Sequence, residues 1–317
     1  MGFFLSKSKP LPRAVVIAIY NLSDKFDMTY TPTQVTFTQS IFHLTSDVQF
    51  VRVSEEALYI VTSQTPFHPV SHIWPDHPAD RGTLTVGEHI YTVENCLVGA
   101  INLVEHQLLV GKEIPIKRDE PGWVFVVVHQ IKAEKKAVKV GDAVSLTVDD
   151  AYQKQLSRGH SAGHLAYLAL NKVLAAGYWR KDADRKDPHG HNDFNSYAQV
   201  TSFVTEDRCL DTYRLGKTLR KRGLNSADML ENLTKIEEQV NLQLESWLTL
   251  GSKIEITRQG DNLTDSRYWQ CDLQEGKKAI IPCGGTHCDS LERFKEIQVK
   301  LVQRDNEHIE MHTYVTH

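Results

Sequence analysis

Apolar and polar positions change rhythm once along the chain, near residue 150. Between residues 33 and 148 the apolar side chains come in short stretches at 34–38, 48–53, 58–62, 83–86, 123–131 and 144–148, with Gly82, Gly87, Gly111, Gly122 and Gly141 at the breaks. Many short strands with turn signals and no helix between them predict a small barrel or sandwich. The stretch Trp123-Val-Phe-Val-Val-Val-His129 barely alternates, which predicts a strand buried on both faces. From Ala151 the period lengthens. Leu165, Leu168, Ala169, Leu170, Val173 and Leu174 form a stripe that predicts a helix over 151–176, with Gly177 at its C-terminal cap. A second helix is expected to begin at the capping pair Asn225 and Ser226, to carry Leu233, Ile236, Val240, Leu244 and Trp247 on one side, and to stop at Gly251. Strand-like pieces return at 253–257, 268–273, 279–281, 297–302 and 309–315. The chain therefore reads as α+β: a lead-in over 1–32, a small β-barrel-like domain over 33–150 and an α/β domain over 151–317.

Composition adds limits to this picture. With 317 residues, 41% hydrophobic and 24% charged, the chain has an ordinary globular balance and exceeds one ordinary domain. A formal net charge of -4 argues against binding nucleic acid by overall charge, so such a partner must meet a local patch. No apolar run is long enough to span a bilayer. The N-terminus places its short apolar start before Lys7 and Lys9, the wrong order for a secretory signal, and Gly2 with Ser6 is too short and common a pattern to establish myristoylation. Five scattered cysteines do not make a disulfide framework, and a reducing cytoplasm is the simplest location.

Two short motifs carry the chemistry. In Ser157-Arg-Gly-His160-Ser-Ala-Gly-His164 the histidines stand four apart, which on a helix stacks both imidazoles on one face. Such a pair also arises by chance, as a solvated or packed pair. The second motif, Pro282-Cys283-Gly-Gly-Thr-His287, places a thiol and an imidazole four apart in a glycine-rich turn, where glycine lets the backbone aim both side chains at one point. Together they offer three nitrogens and a sulfur, a donor set suited to Zn²⁺.

The two motifs together closely resemble the alanyl-tRNA editing proteins, free-standing relatives of the editing domain of alanyl-tRNA synthetase, a domain shared with threonyl-tRNA synthetase. Thr65-Pro-Phe67-His-Pro69 and Pro78-Ala-Asp80-Arg-Gly82 resemble pieces of the family's N-terminal motif, and Arg158 and His129 also fit. The likeness runs from about residue 30 onward. It implies a β-barrel-like domain joined to an α/β editing core, with His160, His164, Cys283 and His287 as zinc ligands and catalysis through the metal. The implied activity is hydrolysis of serine or glycine wrongly esterified to alanine-specific tRNA. Such a second site is needed because a pocket made for alanine cannot sterically reject glycine. Thr65, His72, Arg158 and Thr286 are the expected substrate contacts. One departure stands out: where the family runs through consecutive glycines to a glutamine, this chain has the bulky stretch from Phe67 to Pro78, which puts amino-acid preference in question.

A phosphate-contacting patch is expected at Arg214, Lys217 and Lys221, which would share one face of a helix, with Arg220 and Arg222 adjacent. The segment from Lys181 to Asp193 reads as a polar surface loop rather than a second metal site. Four ligands would close a zinc site, whereas catalytic zinc usually keeps a position open. Three readings follow: a deacylase in which His287 is loosely bound, a zinc-stapled module that holds tRNA or a synthetase, and a hydrolase of another small ester or amide. The length leaves no room for a synthetase's activating and anticodon-reading parts.

Overall fold

The alternating stretches before residue 150 become strands of one antiparallel sheet. A computed structural model describes residues 30–133 and 138–317; the Gly2 and Ser6 pattern and nearly all of the 1–32 lead-in lie outside them. The strands are β1 (Gln34–Val35), β2 (His43–Val53), β3 (Ala57–Thr62), β4 (Gln64–Thr65), β5 (Gly82–Val86), β6 (His89–Val93), β7 (Asn95–Asn102), β8 (Gln107–Val110), β9 (Trp123–Lys132) and β10 (Ala143–Val148). Eight of them form the order β6-β5-β10-β2-β3-β9-β7-β8, while β1 and β4 make a separate parallel pair. The large sheet curls into a half-barrel, bringing β6 back towards β9. Gly87, at a left-handed φ of 56°, makes the tight β5–β6 turn. β9 is buried on both faces, as its unbroken apolar run predicts. Val127 and Ile131 join Ile60, Leu84 and Leu146 in one core, and Val126 and Val128 join Val61, Ile101 and Leu108 in another. The strand expected over 34–38 stops at Val35. Phe37 is buried in a short 3-10 turn, edge-on to the His68 ring and beneath Arg267, which draws the chain out of the extended form.

After residue 149 come α1 (Asp150–Ala175), α2 (Phe194–Ala198), β11 (Gln199–Thr205), β12 (Arg208–Arg214), α3 (Lys217–Lys221), α4 (Ser226–Glu231), α5 (Leu233–Leu248), β13 (Ile254–Arg258), β14 (Arg267–Cys271), β15 (Ala279–Pro282), β16 (Glu296–Gln303) and β17 (His308–Thr316). β11-β12-β17-β16 form an antiparallel sheet and β13-β14-β15 a smaller one. α1 and α5 pack together against one face of the four-stranded sheet, burying Leu165, Leu168, Leu244 and Trp247 with Ile309 and Met311. The carboxylate of Asp149 caps α1 by accepting from the Tyr152 N–H at 3.0 Å. Gly159 lets α1 approach the β11–β12 hairpin: a Cβ there would fall 2.5 Å from the Arg208 carbonyl oxygen. Gly163 faces Cys209 in the same way, so His160 and His164 point away from the sheet.

Three sequence expectations change. The second helix is broken at Asn232, whose side-chain amide donates to the Asp228 carbonyl and carboxylate at 2.9 and 3.0 Å, an alternative to a continuous helical ladder. The hairpin β11–β12 was not expected; Arg214 is its last residue, so it shares no helix face with Lys217 and Lys221. The 181–193 segment is not simply a surface loop. Asp187 is buried and accepts from the His189 and His191 backbone N–H groups, each at 2.9 Å. Among the described residues no helix is long and apolar enough to cross a membrane.

Main-chain hydrogen bonds join the half-barrel to the later elements at two places. Val35 N–H donates to the Asp261 carbonyl at 2.8 Å and Leu263 N–H to the Thr33 carbonyl at 3.1 Å. Elsewhere, Val204 N–H of β11 donates to the Asp76 carbonyl at 2.8 Å.

Candidate metal centre

One side of α1 carries Gln153, Ser157, Ser161 and His164, each about a turn from the next, with His160 beside Ser161. The turn after β15 brings Cys283 and His287 to this side. His160, His164, Cys283 and His287 each place one ligand atom within 4.8 Å of the others, a group that could hold a metal ion. Cys283 Sγ lies 3.4 Å from His160 Nε2 and 3.2 Å from His287 Nε2. The far sides of two rings are already occupied. His160 Nδ1 donates to the Thr286 carbonyl at 3.2 Å, and His287 Nδ1 lies 3.1 Å from Ser161 Oγ, which accepts from the Cys288 N–H. These contacts leave both Nε2 atoms free to ligate. His164 Nε2 is buried with no hydrogen-bond partner among the described residues. A buried, unpaired nitrogen beside a thiol is costly unless something coordinates it, so the residues fit a metal.

Burial governs the protonation of the cluster. It holds His164 down to about 4 and, helped by the neighbouring imidazoles His287, His164, His77 and His68, keeps His160 well below 6.5. His287 is likewise held well below the usual histidine range. The same desolvation pushes the Cys283 thiol up to about 12. Neutral imidazoles are ready to ligate, whereas the thiol needs a cation beside it before it gives up its proton. Gly285 contributes by its small size, not by an unusual φ. A Cβ there would lie 2.5 Å from His160 Cε1 and 2.7 Å from Nδ1.

A second layer of polar groups surrounds the cluster. His77 Nδ1 donates to the Pro78 carbonyl at 2.8 Å, leaving Nε2 to accept from the Thr286 hydroxyl at 3.1 Å. Ser157 Oγ lies 2.9 Å from Thr286 Oγ1 and 2.7 Å from the Gln153 carbonyl. The ring centroids of His77 lie 5.0 Å from His160 and 4.3 Å from His68. Asp80 accepts from the His68 N–H at 2.7 Å and from the Gln153 amide, and burial pushes its carboxyl up to about 7. This floor opens into a cleft of about 420 Å³. Phe37, His72, Trp74 and Phe125 of the first half and Arg267 and Tyr268 of the second line it, and His160 and Cys283 face the cavity.

No family model matches the chain. It is 27% identical over 255 residues to an "Alanyl-tRNA editing protein AlaX-M" of Pyrococcus horikoshii, a match spanning 80% of this chain and 85% of that protein. Alanine–tRNA ligases of Methanosarcina acetivorans and Methanosarcina mazei are 25% and 23% identical over 74% of this chain. The matched segment is only 21% of each ligase. The chain is similar to the alanyl-tRNA editing proteins.

Seen beside the alanyl-tRNA editing proteins, the expected substrate contacts divide. His72 lines the cleft, its ring stacked on Phe125 with centroids 6.3 Å apart. Thr286 is buried at the cleft floor in the His77 network, not exposed to a ligand. Thr65 does not line the cleft. It is fully buried, and its hydroxyl donates to His129 Nε2 at 2.8 Å. Arg158 points to the other side of α1 and grips Asp207 through two hydrogen bonds of 2.6 and 3.0 Å. Lys217, Arg220 and Lys221 are exposed on α3, and Arg214 lies 3.6 Å from Glu307. The sequence reading passed over His68, His77, Asp76 and Arg267. His77 and Asp76 lie inside the stretch that departs from the family pattern; its density of histidines was the available signal. All five cysteines are free.

Proposed function

We propose that the chain is a zinc-dependent hydrolase that removes misattached serine or glycine from alanine-specific tRNA. The observation that carries this reading is a four-residue donor set of which two members, His160 and Cys283, face an open cleft. Three imidazole nitrogens and a thiolate suit zinc better than a hard cation. When bound, zinc supplies Lewis acidity to the ester carbonyl or to water. The protein's own residues do the rest. Thr286 and Ser161 fix the ring orientations of His160 and His287. Asp76, whose carboxyl burial pushes up to about 6, lines the cleft near Cys283 and is suited to accept a proton near neutral pH. Arg118, exposed at the rim, offers a cation to the phosphate preceding the terminal adenosine. His72 and Trp74 narrow the space beside the amino-acid side chain.

The complete four-ligand set also favours a second reading, a closed zinc that staples the fold of a module that binds tRNA or a synthetase. One experiment separates the two. Purified protein is incubated with seryl-, glycyl- and alanyl-tRNA specific for alanine, with and without chelator, and released amino acid is measured. Release of serine or glycine that stops on chelation, with alanyl-tRNA spared, is expected. Zinc that leaves only on unfolding, with no release from any of the three, would put the staple ahead.

A further inference from the structure

The four-stranded sheet has two unlike faces. α1 and α5 cover one, and no described element covers the other. Alternation places Arg208, Leu210, Thr212 and Arg214 of β12 on that open face. Cα registers extend it into two rows: Phe203–Leu210–His312–Lys300 and Thr205–Arg208–Tyr314–Gln298. Phe203 is 54% exposed and Tyr314 36% exposed, large values for aromatic side chains within a sheet. The rings of His312 and Tyr314 stack with an interplanar angle of 13° at 6.3 Å, and the Arg208 guanidinium lies 5.4 Å from the Tyr314 centroid. A hollow of about 200 Å³ opens between these side chains.

Charge decides what such a platform can take. Most carboxylates at this face are occupied: Glu310 pairs with Arg304 and His312, and Glu307 with Arg214, while Glu296, at the far end of β16, forms no ion pair with any described residue. Arg208 and Lys300, together with Lys217, Arg220 and Lys221 of α3 just beyond the end of β12, form no ion pair with any described residue. Flat rings framed by unneutralised cations match a ligand with planar bases and a phosphate backbone. A paired duplex hides its base faces, so the match is to unpaired nucleotides.

We infer that the open face of this sheet binds an unpaired stretch of RNA, bases stacking on Phe203, His312 and Tyr314 and phosphates meeting Arg208 and Lys300. The face lies across the sheet from α1, so it is a second contact, separate from the metal cleft. It deepens the proposed function by giving tRNA a place to be held away from its 3′ end, and it rests on that reading for the identity of the RNA but not for the binding itself.

The test is fluorescence anisotropy on the full chain with a labelled single-stranded RNA of about twelve nucleotides, within the site sizes such platforms cover. A duplex of equal length is the comparison. Single-stranded RNA is expected to bind tighter than duplex. The pair Phe203→Ala with Tyr314→Ala should weaken binding at least about tenfold while leaving its salt dependence in place. Arg208→Ala with Lys300→Ala should weaken binding and flatten the salt dependence by about two phosphate contacts. Circular dichroism and melting check that each variant folds, and hydrolysis of a small aminoacyl ester checks that the cleft is intact. Equal affinity for duplex, or unchanged binding by the aromatic pair, would overturn the inference. So would a dimer in light scattering that the aromatic pair abolishes, which would assign the face to a second copy of the chain. A parent protein that binds RNA but hydrolyses neither ester nor mischarged tRNA would instead remove the proposed function and leave the surface standing.

Discussion

The same two side chains meet twice in this molecule, with different prospects. In the half-barrel, His129 Nδ1 donates to the Ile60 carbonyl and its Nε2 accepts from Thr65. At the cleft, His77 Nδ1 donates to the Pro78 carbonyl and its Nε2 accepts from Thr286. Burial brings both imidazoles down to about 4. Yet Thr65 and His129 have core residues around them, with Phe67 edge-on to the ring, whereas His77 lines a cleft and Thr286 also presents its carbonyl to His160. The histidine–threonine pair itself assigns no role; its surroundings do. The family resemblance of its motif made Thr65 look like a substrate contact.

The largest effect that would test this contrast is loss of the metal. The double variant His160→Ala, Cys283→Ala is expected to lose about one zinc per chain, measured by elemental analysis, together with all hydrolysis. Gly285→Ala should weaken zinc binding by crowding His160, while Thr65→Val keeps its metal in full. Retention of zinc by the double variant would remove the site assignment.

Next comes the pair itself. Thr286→Val should lower kcat/KM at least about tenfold, roughly 1.4 kcal/mol, with zinc retained. Thr65→Val should leave kcat/KM unchanged and cost about 1–3 kcal/mol of stability, because His129 Nε2 loses its donor in a buried place. Equal catalytic loss in both would erase the distinction between the two pairs.

A smaller effect should appear with pH. Six buried imidazoles, His68, His77, His129, His160, His164 and His287, are held below 6.5 in the folded chain. The unfolded chain takes up protons that these rings refuse, so their contribution is complete above pH 6.5 and is lost as pH falls towards 4. Asp76, Asp80 and Asp211, pushed up to about 6, 7 and 6, act in the opposite sense but are outnumbered. Metal-free protein should therefore melt at a lower temperature at pH 5 than at pH 7. A flat profile between those values would contradict the burial of these rings.

The smallest effect concerns Arg158. Its side chain and that of Asp207 are 14% and 18% exposed. Arg158→Ala should cost on the order of 1 kcal/mol of stability and leave the ratio of serine to glycine release unchanged. A changed ratio would return Arg158 to the substrate side.

What could be read from the sequence follows the same division between local and distant causes. The extent of α1 was legible because its apolar stripe is a property of neighbouring residues, although its C-cap is Ala176 and not Gly177. β9 was legible because an unbroken apolar run has few other homes. The pairing of the two metal motifs was legible because their donor chemistry converges. The β11–β12 hairpin was not: one of its inward positions is Asp211, a carboxyl whose partner Gln199 appears only once the strands pair. Asn232 could not announce a helix break, since its local bond to Asp228 is only one of the conformations open to such a residue. Thr65, Thr286 and Arg158 were indistinguishable in kind, because each role depends on a partner 49 to 209 residues away.

The bonds that tie Val35 to Asp261 and Val204 to Asp76 have a consequence for how a substrate is chosen. Pulling the half-barrel and the later elements apart would break main-chain bonds at separate places, so the cleft is not built to open and shut like jaws. On the proposed function, an aminoacyl end would enter between walls already in position, and differences as small as a hydrogen or a hydroxymethyl group would be measured against side chains that the fold holds in place.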